Sequence, residues 1–275
     1  MYIYIYTERE GEMSRERERE MFAATWMTVC PTSGALVMDN FVFLFALKRR
    51  LGLAVCWDGP DVHGHALIAA RGAGMNARHT VMIAAWRQVF IEAGGKVPDR
   101  NRERMLRDTH VPVPPTDARR LDLVVPGLNV QRCLPLFCDA TIISPISGNG
   151  VARSGTSNAD GRLLELAQQD NDRIYEEVLS TGLGALLCLG CEVYGRWGNQ
   201  SVKLVPELAR ERTRGLHPRV RRGIAFSLQH RWWGILGIAL QKSVAEMVLN
   251  AGAGADLAAG RLEPTPALSD LELAD

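Results

Sequence analysis

Apolar positions recur along this chain at two spacings, and the switches between them set the order of its elements. Between residues 76 and 94, Val81, Ile83, Ala84, Ala85, Val89, Phe90 and Ile91 fall near helical spacing, with Asn76 placed to cap the start and Gly94 the end. FVFLFALKRRLGLAVC, within 39–56, predicts a shorter amphipathic helix whose basic turn precedes a break at Gly52. Proline-rich VPVPPTD at 111–117 introduces a strand near 120–125, Pro126-Gly127 turns the chain, and 134–143 forms a second strand. ALLCLGCEVYG at 185–195 reads as a third, with its strand over 185–191. Between these lie a Ser-, Gly- and Asn-rich loop at 144–160 and a helix over 160–179 with Leu163, Leu164, Ala167, Ile174 and Val178 as its buried stripe. Helices follow over 204–214 and 217–250, the second interrupted by Gly223, Gly234 and Gly237. The three apolar strands need a common core, which predicts one mixed sheet in an α/β fold, flanked by helices, with helix 76–93 packed on it.

The ends differ in character. Residues 1–20 join MYIYIY to the alternating-charge tract SRERERE, which offers no apolar face, so 1–38 is expected to be a poorly ordered N-terminal segment. Residues 251–275 are rich in Ala, Gly and acids and are expected to form an unpacked, disordered acidic tail. Between them, 39–75 reads as a separate small segment and 76–250 as the α/β domain.

Composition is that of a globular protein, with 47% hydrophobic and 23% charged residues and a formal net charge of +1. The balance is uneven: Lys203 to Arg231 holds eight Lys or Arg against two Glu, while 251–275 holds five acids and one Arg. A polyanion would therefore meet one local face, with Arg219, Arg221 and Arg222 as its phosphate contacts and Trp232-Trp233 as stacking surfaces, although a helix buried against the sheet is the stronger explanation of the two tryptophans. The six cysteines sit mostly in apolar runs and no secretory signal opens the sequence, so an intracellular, reduced setting is expected. FVFLFAL at 41–47 is too short to span a bilayer, and no membrane association is expected. Cys188-x-x-Cys191 has no second cysteine pair and reads as two buried thiols.

The chemistry concentrates in RRLDLVV and CLPLFCDATIISP, where Asp122 and Asp139 interrupt consecutive apolar strands. A carboxylate beside a core costs several kcal/mol, on the order of 2–7, unless something binds it. Two carboxylates can hold a hard divalent cation, Mg²⁺ or Mn²⁺, of the kind that assists phosphodiester cleavage. The plain alternative is a half-exposed sheet on which Asp122 pairs with Arg119 or Arg120. Glu92, on the helix before the strands, is a further acid that reads either as a site carboxylate or as a surface residue.

Taken together, RRLDLVV…CDATIISP, the helix DGRLLELAQQDNDRIYEEV, the strand LLCLGCEVYGRW and HRWWGILGIALQKSV resemble the C-terminal region of reverse-transcriptase-like proteins of non-LTR retrotransposons, across roughly residues 39–250. That resemblance implies a restriction-endonuclease-like core of the PD-(D/E)XK class, followed by C-terminal helices and preceded by a zinc knuckle. No Tyr-x-Asp-Asp polymerase motif is present, so the chain would be a degenerate copy without the polymerase. Asp122 and Asp139 match the two metal-binding carboxylates. The class places a lysine two residues after the second acid, where this chain has Thr141; the retrotransposon variants place it four residues before a helix tyrosine, and counting back from Tyr175 gives Asn171. With both lysine slots empty, DNA nicking is expected to be impaired, with a non-enzymatic nucleic-acid- or protein-binding remnant as the alternative. Of the knuckle, Cys56, Asp61, Gly64 and His65 fit the pattern, with His63 as an extra imidazole. Cys56, His63 and His65 could supply zinc ligands, with His79 as a fourth donor, but loop histidines are the preferred reading. A functional element product of this kind would act in the nucleus.

Overall fold

The computed structural model describes residues 24–55, 61–69, 73–97 and 104–259. In chain order these form α1 (Asn40–Arg50), α2 (His65–Ala69), α3 (Ala73–Ala93), β1 (Arg104–Met105), β2 (Arg120–Leu121), β3 (Leu123–Val125), β4 (Leu136–Ile143), α4 (Arg162–Ile174), α5 (Glu176–Thr181), β5 (Ala185–Glu192), α6 (Asn199–Arg212) and α7 (Pro218–Ala259). Short 3-10 turns at Thr25–Met27 and Gly34–Leu36 precede α1.

The three expected strands share one sheet in the order β3-β4-β5. β3 runs antiparallel to β4, pairing Leu123 with Cys138, and β4 runs parallel to β5, pairing Asp139 with Cys188. A parallel partner requires a crossover, and α4 with α5 supplies it. The first strand is not continuous. β2 pairs with β1 in a separate two-stranded ribbon, and the chain changes partner at Asp122.

Alternation along β4 and β5 divides the core. Leu136, Cys138, Ala140, Leu187, Leu189 and Cys191 face the main core with α3, α6 and α7, whereas Phe137 and Leu186 face a smaller one with Tyr175 and Val178. Cys188 and Cys191, three residues apart on one strand, therefore lie on opposite faces as two buried free thiols.

Three expectations are corrected. α7 is a single helix of 42 residues, neither interrupted by Gly223, Gly234 and Gly237 nor ended at 250. Two of those glycines are notches: a Cβ on Gly234 would stand 2.4 Å from Val29 Cγ2, and one on Gly237 3.3 Å from Trp26 Cβ. For the same reason residues 24–38 are not a loose leader. Trp26 and Leu36 are buried in the main core, seated against α7. α1 joins that core too, through Val42, Phe45 and Ala46, so 39–55 packs with the domain instead of standing apart from it. Residues 1–23 and 260–275 lie outside the described residues.

Boundaries moved where capping or a kink won over periodicity. α1 begins after Asp39, whose side chain accepts the Val42 N–H at 2.9 Å. α3 begins at Ala73, so Asn76 is inside the helix and its carbonyl accepts the Thr80 hydroxyl; Gly94, at φ +98°, takes the left-handed position after the last turn. The expected helix over 160–179 breaks at Tyr175 into α4 and α5, and α6 starts at Asn199, leaving Pro206 in its interior. The loop 144–160 is tied by its own bonds, among them Ser144 Oγ to the Ile146 carbonyl at 2.7 Å and an Ile146–Ala152 bridge.

Candidate active site

Asp122 occupies the joint between β2 and β3, where the backbone bends away from ladder geometry. Its carboxylate fills the gap: Oδ2 accepts the Ala140 N–H at 2.7 Å, a donor that a continued ladder would have given to a backbone carbonyl. The carboxylate thus lies along the hydrogen-bonding direction of the sheet and is only 8% exposed. From α3, His79 Nε2 stands 3.1 Å from the same Oδ2 and 3.0 Å from the Ala140 carbonyl oxygen. Both neighbours are acceptors, so Nε2 carries the proton in the neutral and the charged imidazole alike. The bond to Asp122 is the main reason that the His79 imidazolium is favoured and its titration raised, against the opposing effect of burial.

Asp139 follows on β4, on the face roofed by α4 and α5. Thr141 donates its hydroxyl to Asp139 Oδ2 at 3.3 Å. Burial, and then the charge of Asp122, push the Asp139 carboxyl up to about 6. Two neighbouring carboxylates resist being ionised together, and that resistance is what a cation between them would relieve. The same pair, after burial, raises the Tyr175 phenol and the Cys138 thiol. Burial and Asp139 also push Cys188 up to about 12.

The roof is set by α4. Leu164 packs over Gly190, and Tyr175, at the end of the same stripe, donates its hydroxyl to the Arg120 carbonyl. Asn171 lies between them, 4% exposed, with Nδ2 lacking any hydrogen-bond partner. A buried amide left unpaired costs about 1–3 kcal/mol, so this donor is one that a water or a ligand oxygen would satisfy. The structure therefore brings Asp122 and Asp139 together beside Tyr175, while Asn171 is buried one turn earlier on α4.

Other expected members fall elsewhere. Arg119 does not serve Asp122; it is held by Asp117 at 2.6 Å and Glu177 at 2.7 Å. Glu92 is a clamp between helices: it accepts Arg231 Nε at 2.9 Å and Nη2 at 2.8 Å, and Trp232 Nε1 at 2.9 Å. Burial opposes its ionisation, but Arg231, Gln88 and Trp232 outweigh it and hold the carboxyl below its usual range. Trp232 and Trp233 are both fully buried, so neither presents a stacking face. Arg219, Arg221 and Arg222 are exposed at the start of α7, and Arg221 donates to the Leu216 carbonyl at 2.9 Å. Of the zinc candidates, Cys56 lies outside the described residues. The His63 and His65 rings are 5.5 Å apart, His65 Nδ1 meets the Tyr194 hydroxyl at 3.1 Å, and His79 is committed to Asp122. Among the described residues no group of three or more His, Cys, Asp or Glu side chains is arranged to hold a metal. None of the described helices is long and apolar enough to cross a membrane.

The partnership of His79 with Asp122 leaves no mark in the sequence. It joins residues 43 apart, and the helix pattern around His79 carries no trace of the strand it meets. No protein-family model matches the chain, and no curated protein matches it.

Proposed function

We propose that this chain is a mobile-element-derived, endonuclease-like domain that binds nucleic acid and whose metal-dependent DNA nicking is impaired. The observation that carries this reading is the Asp122–Asp139 pair, one at the β2–β3 joint and the other on β4 next to the Leu123–Cys138 pairing, close enough for the charge of Asp122 to raise the Asp139 carboxyl. The succession of helix, antiparallel strand pair, crossover helix and parallel strand is consistent with a restriction-endonuclease-like core.

The residues suit a hard cation. Asp122 Oδ1 and Asp139 Oδ1 make no hydrogen bond within the described residues, and all the donors on offer are oxygens, as Mg²⁺ or Mn²⁺ prefers. When bound, such an ion supplies Lewis-acid activation of water and neutralises charge developing on phosphate. Asp122 is fixed by Ala140 and His79, so its free oxygen is preorganised, whereas Asp139 answers only to Thr141. The roof offers Asn171, a neutral donor, where the resemblance calls for a lysine. A neutral amide can orient a water but brings no positive charge to the transition state.

A non-enzymatic remnant is the second reading, favoured by His79, which already gives Asp122 a cationic partner. Plasmid nicking in Mn²⁺ separates the two. The wild-type chain is expected barely above background, with Asn171→Lys at least about tenfold faster and Asp139→Asn abolishing the gain. If Asn171→Lys leaves nicking unchanged while DNA binding through Arg219, Arg221 and Arg222 persists with a salt-dependent affinity, the domain binds without cleaving.

A further inference from the structure

A second constellation lies beyond the carboxyl ends of β4 and β5, apart from the aspartates. Arg49 and Arg50 at the end of α1, Tyr194 just after β5, Gln241 of α7, Trp26 and Ala46 line a cavity of about 90 Å³. The Arg49 guanidinium carbon lies 4.7 Å above the Tyr194 ring, while its Nη2 is buried and has no hydrogen-bond partner. Behind it, Arg78 of α3 is 4% exposed; Nη1 reaches the Ile68 carbonyl at 3.2 Å and Nε has no partner.

The contrast with the other arginines is what singles these two out. Arg119, Arg196 and Arg231 each meet a carboxylate, at 2.6, 3.0 and 2.8 Å. No carboxylate among the described residues bonds Arg49 or Arg78. Burial pulls both guanidiniums below their usual range; Tyr194 offsets part of this for Arg49 and Cys191 part of it for Arg78, while the charge of Arg49 lowers Arg78 further. Arg78 is buried and Arg49 half-buried, and no carboxylate among the described residues offsets their charges, whereas a charge withdrawn from water is tolerated only when paired. Planar guanidinium donors match the oxygens of a phosphate, and the space outside the carboxyl ends of parallel strands is where open α/β sheets take ligands.

We propose that this pocket binds a compact tetrahedral oxyanion, a phosphate group, with Arg49 as the direct donor, Arg50 and Gln241 beside it, and Arg78 as the charge behind. The group can come from inorganic phosphate or from a nucleic-acid backbone. The site stands independently of the aspartate pair, so the nuclease reading can fail without it.

Thermal denaturation of the full chain tests this. Inorganic phosphate at millimolar concentration is expected to raise Tm by several degrees over chloride at matched ionic strength. Arg49→Met is expected to remove that rise while leaving the phosphate-free Tm equal to or above wild type, because it deletes a half-buried charge that no carboxylate among the described residues pairs with. Arg78→Met should weaken the rise, whereas Asp139→Asn should not alter it. A ten-nucleotide oligothymidylate distinguishes the sources. Protection at concentrations at least tenfold below those of inorganic phosphate, weakened by Arg49→Met, assigns the pocket to the backbone; protection by phosphate alone assigns it to the free ion. A Tm indifferent to phosphate, or a rise that survives Arg49→Met, overturns the proposal. So does a phosphate-free Tm lowered by Arg49→Met with no phosphate response in the wild type, which would make the arginine a packing residue.

Discussion

Asp139 and His79 both hold protons in the folded protein that they would release more readily in the unfolded chain. For Asp139 the titration moves from its ordinary 3.8 up to about 6, chiefly through burial. The resulting penalty is absent below about 3.8, grows as pH rises, and is complete above about 6. For His79, raised above its usual 6.5, the stabilisation is full below that value and is lost as pH rises through the folded one. Both act in the same direction, so in metal-free buffer stability should decline from pH 5 to pH 8. Asp139→Asn should relieve its share, raising stability by ~1–3 kcal/mol at pH 8 and leaving pH 4 almost unchanged. Urea denaturation at the two pH values checks this, and an equal loss at both would mean that the carboxylate is only a packing group. Mg²⁺ or Mn²⁺ should relieve the wild-type penalty at pH 8, raising Tm by about 2–5 °C, and should do nothing for Asp139→Asn. Both acids could be picked out from the sequence because each interrupts an apolar run. Their surroundings could not, since Ala140 N–H and His79 reach Asp122 only after the strand has changed partner.

Helix α7 illustrates how the same residue type can play opposite roles. Gly223 has nothing within 4 Å of a built Cβ, whereas Gly234 faces Val29 and Leu36. Gly223→Ala should therefore stabilise by up to ~1 kcal/mol through helix propensity alone. Gly234→Ala should destabilise by ~1–3 kcal/mol despite the same propensity gain, because the added methyl drives Val29 out of its seat. Denaturation midpoints of the two variants test the pair, and equal shifts would show that the seating of Val29 and Leu36 does not depend on the notch. A periodicity reading treats all three glycines as breaks because it sees helix propensity and not the partner. Similarly, α4 and α5 read as one helix, and the break at Tyr175 follows from its hydroxyl reaching the Arg120 carbonyl on the strand segment below.

The molecule as a whole is held by α3 and α7 packed on the main face of the sheet, with Trp86 meeting Trp197 edge to face at a centroid distance of 6.3 Å and Trp197 meeting Trp233 at a tilt at 5.2 Å. Glu92 ties the same two helices through Arg231 and Trp232. Glu92→Ala leaves a half-buried guanidinium and a buried indole N–H unpaired and should cost ~1–3 kcal/mol. The loss should be visible as a lowered Tm with tryptophan fluorescence changing in the same transition. A Tm within a degree of wild type would place the helix contact in the apolar seam alone.

Period-two and period-3.6 patterning marked out the three sheet strands, the principal helices and the two interrupting acids from residue order alone, because burial on one face writes itself into local spacing. What waited on the folded chain were the pairings between distant residues. His79 against Asp122, Glu92 against Arg231, Trp232 and Trp233 turned inward, residues 24–38 seated on α7, and Arg49 beside Arg78 all join segments far apart in the chain. Local periodicity reports which face of an element is buried, but not what covers it, and a buried charge acquires its meaning only from its partner.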